Sequence, residues 1–168
     1  MTSLLFLGVF PALMAFAAAY DLTTMTIPNK LTAAVAVAFV AVVVLCRLPA
    51  SEVAWHLAAG LLVLAATFAM FAAGWMGGGD AKLAAGVALW LGFADLLDYL
   101  MLASILGGAL TVGLLLARRY PLPIMLARVP WALKLHAPDT GIPYGIALAI
   151  AALVVLPHTE IMLRAFAG

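Results

Sequence analysis

Apolar residues gather into six runs, at about residues 4–20, 31–46, 53–75, 83–94, 96–117 and 142–156, and the breaks between them carry charge, proline or glycine. A helix needs roughly 17–25 apolar residues to cross a hydrocarbon core of about 30 Å, so the pattern predicts about six transmembrane helices. The fourth run, between Lys82 and Asp95, is short enough for a re-entrant segment instead. Between residues 121 and 137, Arg128 and Lys134 alternate with Leu126, Val129, Trp131 and Leu133, which predicts a helix lying at the headgroup level. Strand alternation is almost absent and no repeat is present. The expected fold class is all-α, a polytopic membrane protein in which residues 1–168 form a single integral membrane domain.

Composition agrees with that pattern. The chain is 68% apolar and 9% charged, with a mean hydropathy of +1.24, against roughly 45–50% and about 25% in soluble domains. The net charge of +1 and the scattered Lys and Arg exclude a nucleic-acid-binding surface. The single Cys46 lies in an apolar run, so neither a disulfide framework nor a zinc cluster is expected. His56, His136 and His158 share no metal-ligand spacing, and no metal or cofactor is predicted.

Charge also orients the spans. With six crossings, Lys30, Lys82, Arg118, Arg119, Arg128 and Lys134 share one side and only Arg47 and Arg164 lie opposite. The basic side is expected to be cytoplasmic, with both termini outside. Phe16-Ala17-Ala18-Ala19 also reads as a signal-peptidase site, but Met1-Thr2-Ser3 carries no basic residue, and an uncleaved first span is the preferred expectation.

This orientation sorts the seven acids. Asp21 ends the first span and Asp80 opens the fourth, so antiparallel helices bring both to the cytoplasmic edge. Ionisable groups near hydrocarbon point to function, with each acid here the other's natural partner. As isolated residues they also read as helix ends, Asp80 favoured by the helix dipole. Gly77-Gly78-Gly79-Asp80-Ala81-Lys82 clears side chains from the approach to that carboxyl, but lacks the spacing of a phosphate-binding loop. After Asp21, Pro28 predicts a turn and Asn29 a helix cap. Asp95 and Asp98 share a helical face on the outer side and read as a solvated helix start, while Asp139-Thr140-Gly141 copies a tripeptide of soluble β-sheet proteases in a chain without sheets.

Three motifs in order, Asp21 followed by Ile27-Pro28-Asn29, then Gly77-Gly78-Gly79-Asp80 with Lys82 nearby, then Pro143-Tyr144-Gly145 opening the last span, resemble the type IV prepilin peptidase family, in particular its short Flp/Tad-type members. The resemblance implies a GxGD aspartyl protease of the bacterial inner membrane, multi-pass, with its active site facing the cytoplasm, that cuts the leader from prepilins. It implies Asp21 and Asp80 as the catalytic pair, with Gly77, Gly79, Lys82, Pro143, Tyr144 and Gly145 as groove or supporting residues. Longer members insert a zinc-binding cytoplasmic domain and methylate the new terminus. The short first loop and the lone Cys46 lead us to expect neither here, leaving one peptidase domain without an N-terminal zinc or methyltransferase domain. The expected partners are a prepilin substrate and the lipid bilayer, and Gly107, Gly108 and Gly113 are small residues that could ease packing of the substrate's helix.

Two adjacent carboxyls, one ionised and one protonated, can activate water and protonate a leaving amine, which predicts a bell-shaped pH profile belonging to the pair. The competing class is a small transporter or pilus-assembly scaffold that uses the same two acids as an ion or proton site.

Overall fold

The computed structural model describes residues 2–159 and Met162. Glu160 and Arg164, counted above among the acids and bases, lie outside the described residues. Within them the chain is helical and contains no strand. The helices are α1 (Thr2–Thr24), α2 (Asn29–Leu45), α3 (Ala50–Ala72), α4 (Gly78–Leu91), α5 (Leu96–Ala117), α6 (Pro130–His136) and α7 (Tyr144–Val155), with short 3-10 turns at Leu126–Arg128 and Leu156–His158. Each of the six apolar runs falls on one of α1 to α5 or α7. The amphipathic stretch yields less helix than its pattern predicts, because Pro121 and Pro123 supply no N–H and Pro130 sets the first turn of α6.

By length and composition, α3 and α5 are long and apolar enough to cross a membrane, while α2 and the Tyr144–His158 stretch are apolar but shorter. The 14 residues of α4 extend about 21 Å, short of a hydrocarbon core of about 30 Å. Burial explains this short helix. Leu83, Ala84, Val87, Ala88 and Trp90 are all buried, and α4 packs against α2, α3 and α7 at the centre of the molecule. Small residues let the neighbours close in: a methyl on Gly60 of α3 would lie 3.2 Å from Leu89 Cβ, and one on Gly86 of α4 would lie 3.2 Å from Val35 Cγ1.

Two polar groups inside this core find partners across helices, as a low-dielectric interior favours. Trp90 Nε1–H donates to Val35 O at 2.9 Å, and Thr67 Oγ1 donates to Val63 O at 2.7 Å and Ala81 O at 3.2 Å. By contrast α3 and α5 expose Trp55, Leu61, Phe68, Leu97, Met101 and Ile105, apolar surface suited to lipid.

Helix ends are set by backbone chemistry. After α3, Gly74 has φ 76°, and the N–H groups of Gly74 and Trp75 donate to Phe71 O and Met70 O, a Schellman closure that turns the chain toward Gly77. At the end of α1, Met25 takes φ 56°, an uncommon conformation for a residue with a Cβ, and reverses the chain just beyond Asp21. The predicted cap role of Asn29 is corrected: Pro28 occupies the cap position of α2 without a side-chain bond. The Asn29 amide oxygen instead accepts a hydrogen bond from Lys82 Nζ at 2.8 Å, a charged donor that outcompetes a backbone N–H.

Candidate active site

Asp21 lies in the last turn of α1 and is 3% exposed. A carboxyl so deeply buried needs a donor, and α7 supplies one. Pro143 caps that helix and Tyr144 is its first residue, so the N–H of Gly145 is among those with no partner inside the helix. Gly145 N–H donates to Asp21 Oδ2 at 2.8 Å, while the next N–H, of Ile146, donates to Pro143 O at 3.3 Å. Asp21 thus acts as the missing cap of a helix more than a hundred residues away. Gly145 makes the approach possible: a Cβ there would lie 2.7 Å from Asp21 Oδ2 and 2.7 Å from Ile27 Cδ1.

Asp80 is the third residue of α4, after the cap Gly77, a position where an acid is favoured by the free N–H groups and the dipole. Its Oδ2 leans over Gly77, where an added Cβ would stand 2.9 Å away. Ile27 is the wedge that joins the two acids' supports. A Cβ on Gly79 would meet Ile27 Cβ at 2.9 Å and its backbone oxygen at 3.1 Å, while the far end of the same side chain rests on Gly145. Ile27 thus lies between the supports of the two acids, which sit at the end of α1 and the start of α4.

Asp80 lines a cavity of about 770 Å³ and Asp21 is set back from it. Met25, Met70, Trp75, Met76 and Leu115 give the cavity an apolar wall, and Arg118, Thr140 and Tyr144 give it a polar one. The predicted supporting residues divide. Gly77 and Tyr144 line the cavity, Gly79 and Gly145 permit the close packing behind it, and Pro143 is buried at the cap of α7. Tyr144 also packs its ring where a Cβ on Gly107 would be, and its hydroxyl lies 3.1 Å from Thr111 Oγ1. Gly107 is therefore used within the fold, whereas Gly108 and Gly113 face open space. Lys82 lines a different hollow, between α2, α3 and α4.

The rival acids do not join the pair. Asp139 is exposed and only its neighbours Thr140 and Gly141 reach the cavity, and Asp95 and Asp98 stand at the start of α5. His56 Nδ1 lies 2.9 Å from Leu89 O, and among the described residues no cluster of metal-ligating side chains occurs.

Arg118 escaped the sequence reading, which counted it only as a basic residue near a span. Its guanidinium donates to Leu135 O through Nε (3.0 Å) and Nη2 (2.8 Å), to Thr140 O through Nη1 (3.1 Å), and through Nη2 also to Thr140 Oγ1 (3.0 Å) and Gly141 O (2.9 Å). One side chain thereby fastens the loop before α7 to the end of α5. Lys134 adds a second strap, donating from Nζ to Thr24 O at 2.6 Å, at the end of the helix that carries Asp21. Nothing in the local sequence marks these bonds, since all but one of the acceptors are backbone carbonyls and all lie on residues more than fifteen positions away.

The arrangement offers two carboxyls on either side of Ile27, one facing a mostly apolar cavity and one anchored by the Gly145 N–H. Neither curated proteins nor solved structures provide a match to this chain. A sequence model of the type IV leader peptidase family does match, over residues 8–112, a stretch that covers more than half of the chain and includes both Asp21 and Asp80, and the chain belongs to this family of proteases.

Proposed function

We propose that this chain is a membrane aspartyl endopeptidase that removes the leader peptide from type IV prepilins of the Flp/Tad kind at the cytoplasmic face of the inner membrane. The observation that carries the proposal is that Ile27 packs on both Gly79, beside Asp80, and Gly145, beside Asp21, which places the acids of two helices distant in sequence on either side of one residue, with Asp80 lining a cavity of about 770 Å³.

In this mechanism one carboxylate takes a proton from water as its oxygen bonds to the scissile carbonyl carbon. The partner carboxylic acid hydrogen-bonds to the carbonyl oxygen, and the amine leaves with a proton returned by the pair as the C–N bond breaks. The proton is shared by the pair, so neither residue holds a fixed role and activity follows a bell-shaped pH profile. The Gly145 N–H holds Asp21 in place, Gly77 opens the approach to Asp80, Gly79 admits Ile27 behind it, and the methionine-lined wall accommodates apolar side chains flanking the cut.

We assign α1 to α5 and α7 as six crossings. Among the described residues, the six cations on the Asp21 and Asp80 side, against Arg47 opposite, support a cytoplasmic site. The short α4 and α7 recess that site below the membrane surface, where water reaches it through the cavity and the apolar helix of a precursor reaches it from the bilayer.

The test is co-expression with a candidate Flp-type prepilin. The unchanged chain should convert precursor to mature pilin, and Asp21→Asn or Asp80→Asn at matched expression should leave full-length precursor. Cutting by both single variants would overturn the catalytic assignment. Complete processing alongside altered ion flux or altered pilus assembly would favour the transporter or scaffold class.

A further inference from the structure

A second hollow, of about 390 Å³, lies on the opposite side of α4 from the Asp80 cavity. Three helices build it, and each contributes four positions spaced i, i+3, i+4 and i+7, starting at Asn29 in α2, Leu57 in α3 and Lys82 in α4. That spacing is one continuous face of each helix, so the hollow is a groove, with α2 and α3 as banks and α4 as floor. Small residues, among them Ala33, Ala36, Ala85 and Gly86, deepen it, and leucines from α3 and α4 line it. Only one end is polar, where Asn29, Thr32 and Lys82 gather.

The geometry points to a binding site for one anionic glycerophospholipid, its acyl chain in the groove and its phosphate at Lys82. Charge and shape both argue for this occupant. Lys82 Nζ donates one ammonium hydrogen to Asn29 Oδ1 at 2.8 Å, which fixes the cation at the mouth of the groove and leaves two hydrogens for an anion. The amide NH₂ of Asn29 stands beside it, while the Thr32 hydroxyl donates to Asn29 O at 3.0 Å and steadies that end. Asn29 is the first residue of α2, so this polar end lies at helix termini, where a headgroup would be, and the rest of the groove runs toward the hydrocarbon. The span from Lys82 to Leu89 covers about 10 Å. A single acyl chain can run that length between the side chains of the three helices. Asp80 does not oppose the anion directly, because its carboxyl lines the other cavity.

The site is independent of the peptidase reading and is tested without cleavage. The detergent-purified full chain is titrated with phosphatidylglycerol or phosphatidylcholine of the same acyl chains, and bound lipid is counted by native mass spectrometry. The unchanged chain should retain phosphatidylglycerol about fivefold more strongly, the increment of one lysine at an anionic lipid surface. Lys82→Gln should abolish the difference and Lys82→Arg should restore it. Ala33→Phe, which fills the groove from an exposed position, should weaken both lipids alike. A photo-crosslinking residue at position 33 should label lipid in membranes. Equal retention of the two lipids by the unchanged chain, a preference that survives Lys82→Gln, or crosslinks to a protein helix in place of lipid would each overturn the proposal.

Discussion

Replacing Gly145 with alanine adds one methyl group where Asp21 and Ile27 leave no room. The new Cβ would stand 2.7 Å from Asp21 Oδ2 and from Ile27 Cδ1, so reaching an ordinary contact of 3.4 Å requires a displacement of about 0.7 Å. Asp21 is held on that side by the Gly145 N–H at 2.8 Å, and moving the carboxyl away stretches this bond beyond hydrogen-bonding range. Overpacking costs about 1–3 kcal/mol, and weakening a bond to a charged acceptor adds a share of about 1.5–3 kcal/mol. The protein should still fold, with a lowered melting temperature. Catalysis should suffer more than stability, because a reacting group misplaced by about 1 Å loses up to about 100-fold in rate. The assay is turnover of a leader-bearing precursor by the purified variant in lipid, with unfolding followed in parallel. Gly108→Ala is the control, since nothing lies within 4 Å of that position and alanine favours a helix. A folded Gly145→Ala enzyme cutting within threefold of the unchanged chain would refute the view that Gly145 sets the place of Asp21.

Arg118→Lys cannot reproduce the five donor contacts of the guanidinium. It should raise KM more than it lowers kcat and expose residues 135–141 to limited proteolysis, and an unchanged cleavage pattern would contradict the strap. Tyr99 is buried, and its hydroxyl has no hydrogen-bond partner among the described residues. Tyr99→Phe should therefore leave the melting temperature unchanged or raise it by the equivalent of up to about 1 kcal/mol; a clear fall would show that the hydroxyl is bonded. Trp90→Phe removes the donor to Val35 O at 2.9 Å inside the core. It should destabilise the α2–α4 contact by about 1–3 kcal/mol, read as earlier unfolding in denaturant.

Much of the helical layout was legible because hydrocarbon imposes long apolar runs, and those runs cannot be mistaken for strands. Asp80 was legible for a local reason: an acid three residues past a glycine cap is a helix-start signal contained in one short stretch. The burial of Asp21 was not, because its donor sits on a helix more than a hundred residues later, and only folding shows that α7 lacks a cap of its own. The helical angle did offer a signal about Lys82. Two residues past Asp80 on a helix lie about 200° around the axis, so the lysine had to face away from the cavity. Proximity in sequence obscured this. Arg118 and Lys134 were read as topological charges because nearly all their partners are carbonyls, which carry no sequence identity. Asn29 failed as a predicted cap because Lys82, brought in from α4, took its oxygen.

The central claim is that Asp21 and Asp80 act as one catalytic unit. The most direct test measures hydrolysis of a leader-bearing precursor by the purified chain in lipid, with Asp21→Asn, Asp80→Asn and the double variant compared at matched folding. Residues that act together lose nearly everything when either is removed. The account predicts that each single change abolishes detectable turnover and that the double change removes nothing further. Substantial turnover by either single variant, or losses that multiply in the double variant, would contradict it.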